Sequence, residues 1–98
     1  MTLAVLFQAC TKTRVIGRWQ KVTTQACAIT YPAKLEFFGD GTYVGDLPNW
    51  NGGRYSIIDG NRIKLDTLTG PGVYEIELSR DRLTFKNDSG CIFQYRRL

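Results

Sequence analysis

The chain has 98 residues, with 13 basic and 9 acidic side chains, no histidine and a net charge of +4. That length makes one domain with a limited core, a size that often needs a staple. The missing histidine removes the commonest general base and metal ligand, and no apolar run approaches the ~18 residues of a membrane-crossing helix.

The chain opens on LAVLFQACTK, residues 3–12, whose apolar part is too short for a complete signal core. Beyond residue 12 the pattern is strand alternation punctuated by turns, with no convincing helical period. RVIGRWQKVTT (14–24) reads as the first strand. AKLEF (33–37) and TYVGD (42–46) flank GDG, and RYSII (54–58) and RIKLDT (62–67) flank DGN. VYEIELS (73–79) and RLTFKN (82–87) flank Arg80-Asp81, and CIFQYRRL (91–98) is the eighth strand. Pro32, Pro48 and Pro71 all fall between these strands, where proline is tolerated.

Turn chemistry sets the register. A three-residue GDG loop with Gly41 left-handed places Phe37 opposite Tyr43 on one face and Lys34 opposite Asp46 on the other. DGN treated alike, with Asn61 left-handed, sets Ile57 against Ile63, Tyr55 against Leu65 and Arg54 against Asp66. Pairing Leu78 with Leu83 sets Ile76 against Phe85 and Glu75 against Lys86. Arg80-Asp81 suits a primed turn poorly, so a wider tip is expected there. Each hairpin then has an apolar face and, on the other face, an opposite-charge pair contributing about 0.2–1 kcal/mol.

Eight short antiparallel strands joined in sequence predict an all-β fold, an eight-stranded antiparallel up-and-down barrel. Its inward set is Trp19, Leu35, Phe37, Tyr43, Tyr55, Ile57, Ile63, Leu65, Tyr74, Ile76, Leu78, Leu83, Phe85, Phe93 and Tyr95. So many large side chains should leave the interior mostly filled.

GRW at Gly17 to Trp19 matches the G-x-W opening strand of lipocalin-like proteins. LEFFGDGTY, RYSIIDGNRIKL and YEIELSRDRLTF resemble the three hairpins of small bacterial lipocalin-like domains, many of which are lipoproteins. The resemblance covers roughly residues 14 to 98. It implies that Trp19 packs under an arginine from the last strand, here Arg97, closing one end of the barrel. The domain occupies residues 13–98.

The cysteines are Cys10, Cys27 and Cys91, with no CxxC spacing and no zinc knuckle. In a closed barrel the end of the first strand lies beside the start of the eighth, so Cys27 and Cys91 converge and a disulfide is expected. Cys10 is left over. An apolar stretch ending in Ala-Cys resembles a bacterial lipoprotein cleavage site, with Gln8 an awkward residue in the motif and no basic residue ahead of it. Residues 1–12 are therefore read as a truncated lipoprotein signal and anchor segment, with Cys10 lipidated at the extracytoplasmic face of the cell envelope.

Nothing points to a cofactor, and no Ser/His or Cys/His arrangement is available for catalysis. Glu75 and Glu77 share an outward face, and Asp40, Asp59 and Asp81 sit at turn tips where aspartate is a turn residue first. Trp50, in GDLPNWNGG, folds back as a lid or lines a ligand mouth with Tyr43 and Tyr55. The functional expectation is a non-enzymatic envelope binding or interaction domain, with a small hydrophobic ligand as one candidate partner. A membrane surface is another, met by Lys12, Arg14, Arg18, Arg62, Arg80, Arg82, Arg96 and Arg97 at the tight-turn end, which carries the GDG, DGN and Arg80-Asp81 turns; the longer connections, residues 25–33 and 45–53, lie at the opposite, long-loop end. The alternative is a cytosolic barrel binding nucleic acid or a protein. Nucleic acid is the weaker reading, because most aromatics point inward.

Overall fold

The computed structural model describes residues 12–22 and 30–98. Eight strands form one closed barrel in chain order: β1 Gly17–Lys21, β2 Lys34–Phe37, β3 Thr42–Gly45, β4 Gly53–Ile58, β5 Arg62–Thr67, β6 Gly70–Ser79, β7 Arg82–Lys86 and β8 Ile92–Arg97. β8 closes on β1 through the antiparallel pairs Trp19–Arg97, Gln20–Arg96 and Lys21–Tyr95. Each strand thus has two neighbours, which removes the edges of an open sheet. The architecture is the all-β, up-and-down barrel that the alternation predicts, and it is compatible with a lipocalin-like fold.

The hairpin registers follow the turns. Phe37 pairs with Tyr43, Ile57 with Ile63, Tyr55 with Leu65, Ile76 with Phe85 and Leu78 with Leu83. Gly41 is left-handed at φ +88°. The DGN turn differs from expectation: Asp59 (φ +44°) and Gly60 (φ +84°) take the left-handed positions, not Asn61. Aspartate tolerates that region better than most residues, and Arg62 holds the Asp59 carboxylate at 2.7 and 3.3 Å. Arg80–Asp81 is no wider loop. It is a two-residue tip between the Ser79–Arg82 pair, with Arg80 at φ +36°. The opposite-charge outer pairs do not close as ion pairs. Among the described residues, salt bridges within 4.0 Å join Arg62 to Asp59 and Arg82 to Asp81.

Two boundaries move. Residues 12–15 are helical, so the first strand starts at Gly17, not Arg14. β6 starts at Gly70, which puts Pro71 inside a strand, opposite Asp66. Near a strand start, beside the hairpin tip, the missing N–H costs little of the ladder. The connection before it is a tight Leu68–Thr69 tip between the Thr67–Gly70 pair, where the Thr67 hydroxyl donates to the Gly70 carbonyl at 2.6 Å.

The core contains the inward residues named above, with Ile57, Tyr74 and Leu78 only partly buried. It also takes in Val15, Tyr31 and Trp50, which come from outside the strands. Twelve of the aromatic contacts among these rings are edge-on, tilted or stacked at centroid separations of 3.6–6.2 Å. Such geometry packs rings to interior density and adds to their area burial.

Candidate functional site

The tight-turn end is built around Gly17, Trp19 and Arg97. The Arg97 guanidinium carbon lies 4.2 Å from the Trp19 ring centroid. Its Nη1 donates to the Ile16 carbonyl at 2.8 Å, and its Nη2 donates to the Arg14 carbonyl. The Trp19 indole N–H donates to the Val15 carbonyl at 2.8 Å. The last carbonyls of a helical turn have no partner within the turn; here a guanidinium and an indole supply them. Gly17 makes the arrangement possible. Its φ is +131°, and a Cβ there would sit 2.7 Å from Arg97 Nη1.

The long-loop end is closed by rings. Trp50 ends a short 3-10 helix, Pro48–Trp50, and is 2% exposed. It packs against Tyr31 (5.7 Å), Tyr74 (5.6 Å) and Tyr43 (6.1 Å). Tyr31 stacks on Phe93 at 3.6 Å, and its hydroxyl accepts from Asn87 Nδ2 at 2.9 Å. Asn49 pins the loop to the β5–β6 tip, accepting from Leu68 N at 3.0 Å and Thr69 N at 3.1 Å. Gly45 lets the loop come close, since a Cβ there would meet the Trp50 carbonyl at 2.5 Å.

Of the three aromatics singled out in the sequence, the fold brings Trp50 and Tyr43 together and sets Tyr55 apart. Tyr55 packs on Phe37 at 5.0 Å and donates to the Phe38 carbonyl at 2.7 Å, towards the other end. All three are buried. Burial pushes the Tyr43 and Tyr74 hydroxyls up to about 12. It also raises Tyr55 and Tyr95 above the ordinary phenol value. Tyr31 escaped sequence reading. It stands alone before Pro32, outside any alternating run, so nothing local marks it as core.

Cys10 and Cys27 lie outside the described residues. Cys91 is half-buried against the core at the long-loop end. Its N–H donates to Asn87 Oδ1 at 2.9 Å, and its carbonyl accepts from Asn87 N at 3.0 Å.

Surface depressions are open grooves lined chiefly by outward side chains. One, of about 510 Å³, runs past Arg14, Asn61, Glu75, Glu77 and Lys86. Another, of about 390 Å³, is lined by Lys12, Asp40, Arg54, Lys64 and Asp66. Among the described residues no three His, Cys, Asp or Glu side chains gather as a metal site, and no helix is long and apolar enough to cross a membrane. Compared with known proteins, the chain matches no family model, no curated protein and no solved structure.

Proposed function

We propose that this chain is a non-enzymatic interaction domain of the cell envelope: a lipocalin-like barrel anchored by lipid on Cys10 and stapled by a Cys27–Cys91 disulfide. The observation behind this reading is the filled interior. Trp50, Tyr43, Tyr74 and Tyr31 occupy the space beneath the long loops where a ligand would enter. A small hydrophobic ligand would have to displace Trp50, so partners are expected on the outer face and the loops.

One observation supports the staple. The β8–β1 ladder continues past Lys21, with Val22 N donating to the Gln94 carbonyl at 2.8 Å, so Val22 lies alongside β8, the strand that Cys91 immediately precedes. Closing so long a loop contributes roughly 4 kcal/mol in the chain-entropy model. The lipid rests on the remaining cysteine and on the Ala9-Cys10 step.

Intact mass of the protein from its native host is the test. The expected species begins at Cys10, carries acyl mass and is two hydrogens lighter than its fully reduced form, as one cystine requires. An unprocessed chain with all its thiols free would overturn the envelope reading.

A further inference from the structure

Two basic side chains occupy positions that a sheet ordinarily avoids. Arg82 on β7 stands directly opposite Arg96 on β8. Like charges in that relation destabilise a strand pair. Among the described residues, the acid that forms an ion pair with either of them is Asp81, exposed and 3.9 Å from Arg82. Arg96 forms no ion pair within 4.0 Å among the described residues. Arg80 sits on the adjoining turn tip at φ +36°. Arg18 lies two residues before Gln20, the β1 neighbour of Arg96. Arg18 faces Glu36 across the β1–β2 pair without closing an ion pair.

All four are arginines. A guanidinium is permanently charged and presents a planar fork that fits phosphate oxygens two at a time. Directly opposite residues on one face of a sheet have Cβ atoms ~5 Å apart, so two forks can meet one phosphate. Apolar side chains are exposed at the same end: Leu98 is 53% and Phe38 is 37% exposed. Leu98 N donates to the Arg18 carbonyl at 2.9 Å, which places it beside the arginines. A cationic row next to exposed apolar side chains suits the interface of an anionic bilayer. Single-stranded nucleic acid fits less well, because Trp19, Trp50, Tyr43, Tyr55 and Phe93 are buried, and the one large exposed ring among the described residues, Phe38, is too little to stack successive bases.

We propose that the Arg82–Arg96 pair, flanked by Arg18 and Arg80, docks on the phosphates of an anionic lipid surface, with Leu98 and Phe38 entering the headgroup layer. The inference rests on the envelope reading and refines it. It turns the tight-turn end towards the membrane and the Trp50 end away from it.

Vesicle sedimentation of the full chain carrying Cys10→Ser, so that no acyl group contributes, tests the proposal. Phosphatidylcholine vesicles are compared with vesicles containing a minority of phosphatidylglycerol, at ~0.05 and ~0.5 M salt, a range that cuts the screening length about threefold. Binding should require phosphatidylglycerol and fall with salt. A well-placed base is worth about fivefold in partitioning, so R82Q/R96Q should lose ~25-fold and R82E/R96E more. The control K64E/K86E makes the same change in net charge as R82E/R96E, elsewhere on the barrel, and should lose far less. Equal losses in the two reversals would reduce the effect to net charge and overturn the proposal. So would binding indifferent to lipid charge, or tighter binding to a single-stranded oligonucleotide in the same buffer. Should R82E/R96E fail to fold, the glutamine pair carries the test. A lipidated, cystine-containing native mass alongside failed vesicle binding would leave the envelope reading standing and sink only this inference.

Discussion

At the tight-turn end the barrel is closed by one charged side chain; at the long-loop end it is closed by rings. Arg97 lies over Trp19 because the β1–β8 register sets the two residues opposite each other. Trp50 reaches the core only because Gly45 and Asn49 let its loop fold back onto the β5–β6 tip. One closure is thus a property of strand pairing, and the other is a property of loops docking on a barrel already formed. The difference bears on function. The first end offers charge on a rigid frame, and the second offers a packed surface whose loops are the parts free to vary.

The largest effect that separates the ends is loss of either tryptophan. Both are fully buried, so each alanine substitution falls near the ~3–5 kcal/mol range for large aromatics. Trp19 is walled by strands that cannot collapse, so Trp19→Ala should lie at the top of that range. Trp50 sits on a loop that can settle, so Trp50→Ala should cost less. Indole added during urea unfolding should raise the midpoint of Trp50→Ala more than that of Trp19→Ala, because the loop can admit a ring. The reverse ranking would make the loop end the keystone and break the comparison.

A smaller effect sharpens the claim that Gly17 and Arg97 work together. Gly70→Ala meets only a backbone penalty, since its φ is +121° and nothing lies within 4 Å of the new Cβ. Strain of that kind costs about 1–3 kcal/mol. Gly17→Ala meets a like penalty and also strikes Arg97 Nη1 at 2.7 Å. Pushing the guanidinium off the Trp19 ring should add about 0.5–2 kcal/mol. In an Arg97→Ala background that excess should vanish, leaving the two glycines alike in thermal or urea unfolding. An excess that survives without Arg97 would place the cause elsewhere.

Much of the frame was legible in the sequence. In GDG the turn residues and the apolar alternation specify the same register, and two independent signals agreeing leave little room for a slip. The DGN loop shows the limit. Its length was right, but Asp59 and Asn61 both tolerate left-handed backbone, and the Arg62 contact that stabilises Asp59 there is tertiary detail. Pro71 misled because proline was taken as a strand breaker, whereas it sits near the start of the long strand β6. Residues 12–15 are too few to show helical period, and the carbonyls of Val15 and Arg14 are satisfied from Trp19 and Arg97, the latter some eighty positions away. Trp50 and Tyr31 lie in loops, where no periodicity announces which side chains turn inward. The arginines of the tight-turn end were visible as an excess, but the Arg82–Arg96 juxtaposition needs the β7–β8 register.

The smallest effects come from pH, and they should attack the two ends from opposite directions. Asp40 and Asp59 sit in the tight turns. Hydrogen bonds from Thr42 hold the Asp40 carboxyl below its ordinary 3.8, and Arg62 does the same for Asp59. A carboxyl with a depressed value in the folded state stabilises above the unfolded value, and that contribution is lost as pH falls below about 4 and through the lowered values. Tyr43 and Tyr74 pack around Trp50, and burial raises each from 10.0 to about 12. A group raised in the folded state contributes fully below 10, and the contribution fades as pH climbs towards about 12. Tyr55, near the tight-turn end, shifts in the same direction, but Tyr43 and Tyr74 both contact Trp50. Each end holds one of the two tryptophans, so single-tryptophan chains report them separately. With Trp50→Phe, the fluorescence of Trp19 should change first on the acid limb. With Trp19→Phe, that of Trp50 should change first on the alkaline limb. If both reporters moved together on both limbs, the ends would be melting as one cooperative unit, and the two closures would differ in construction but not in how they yield.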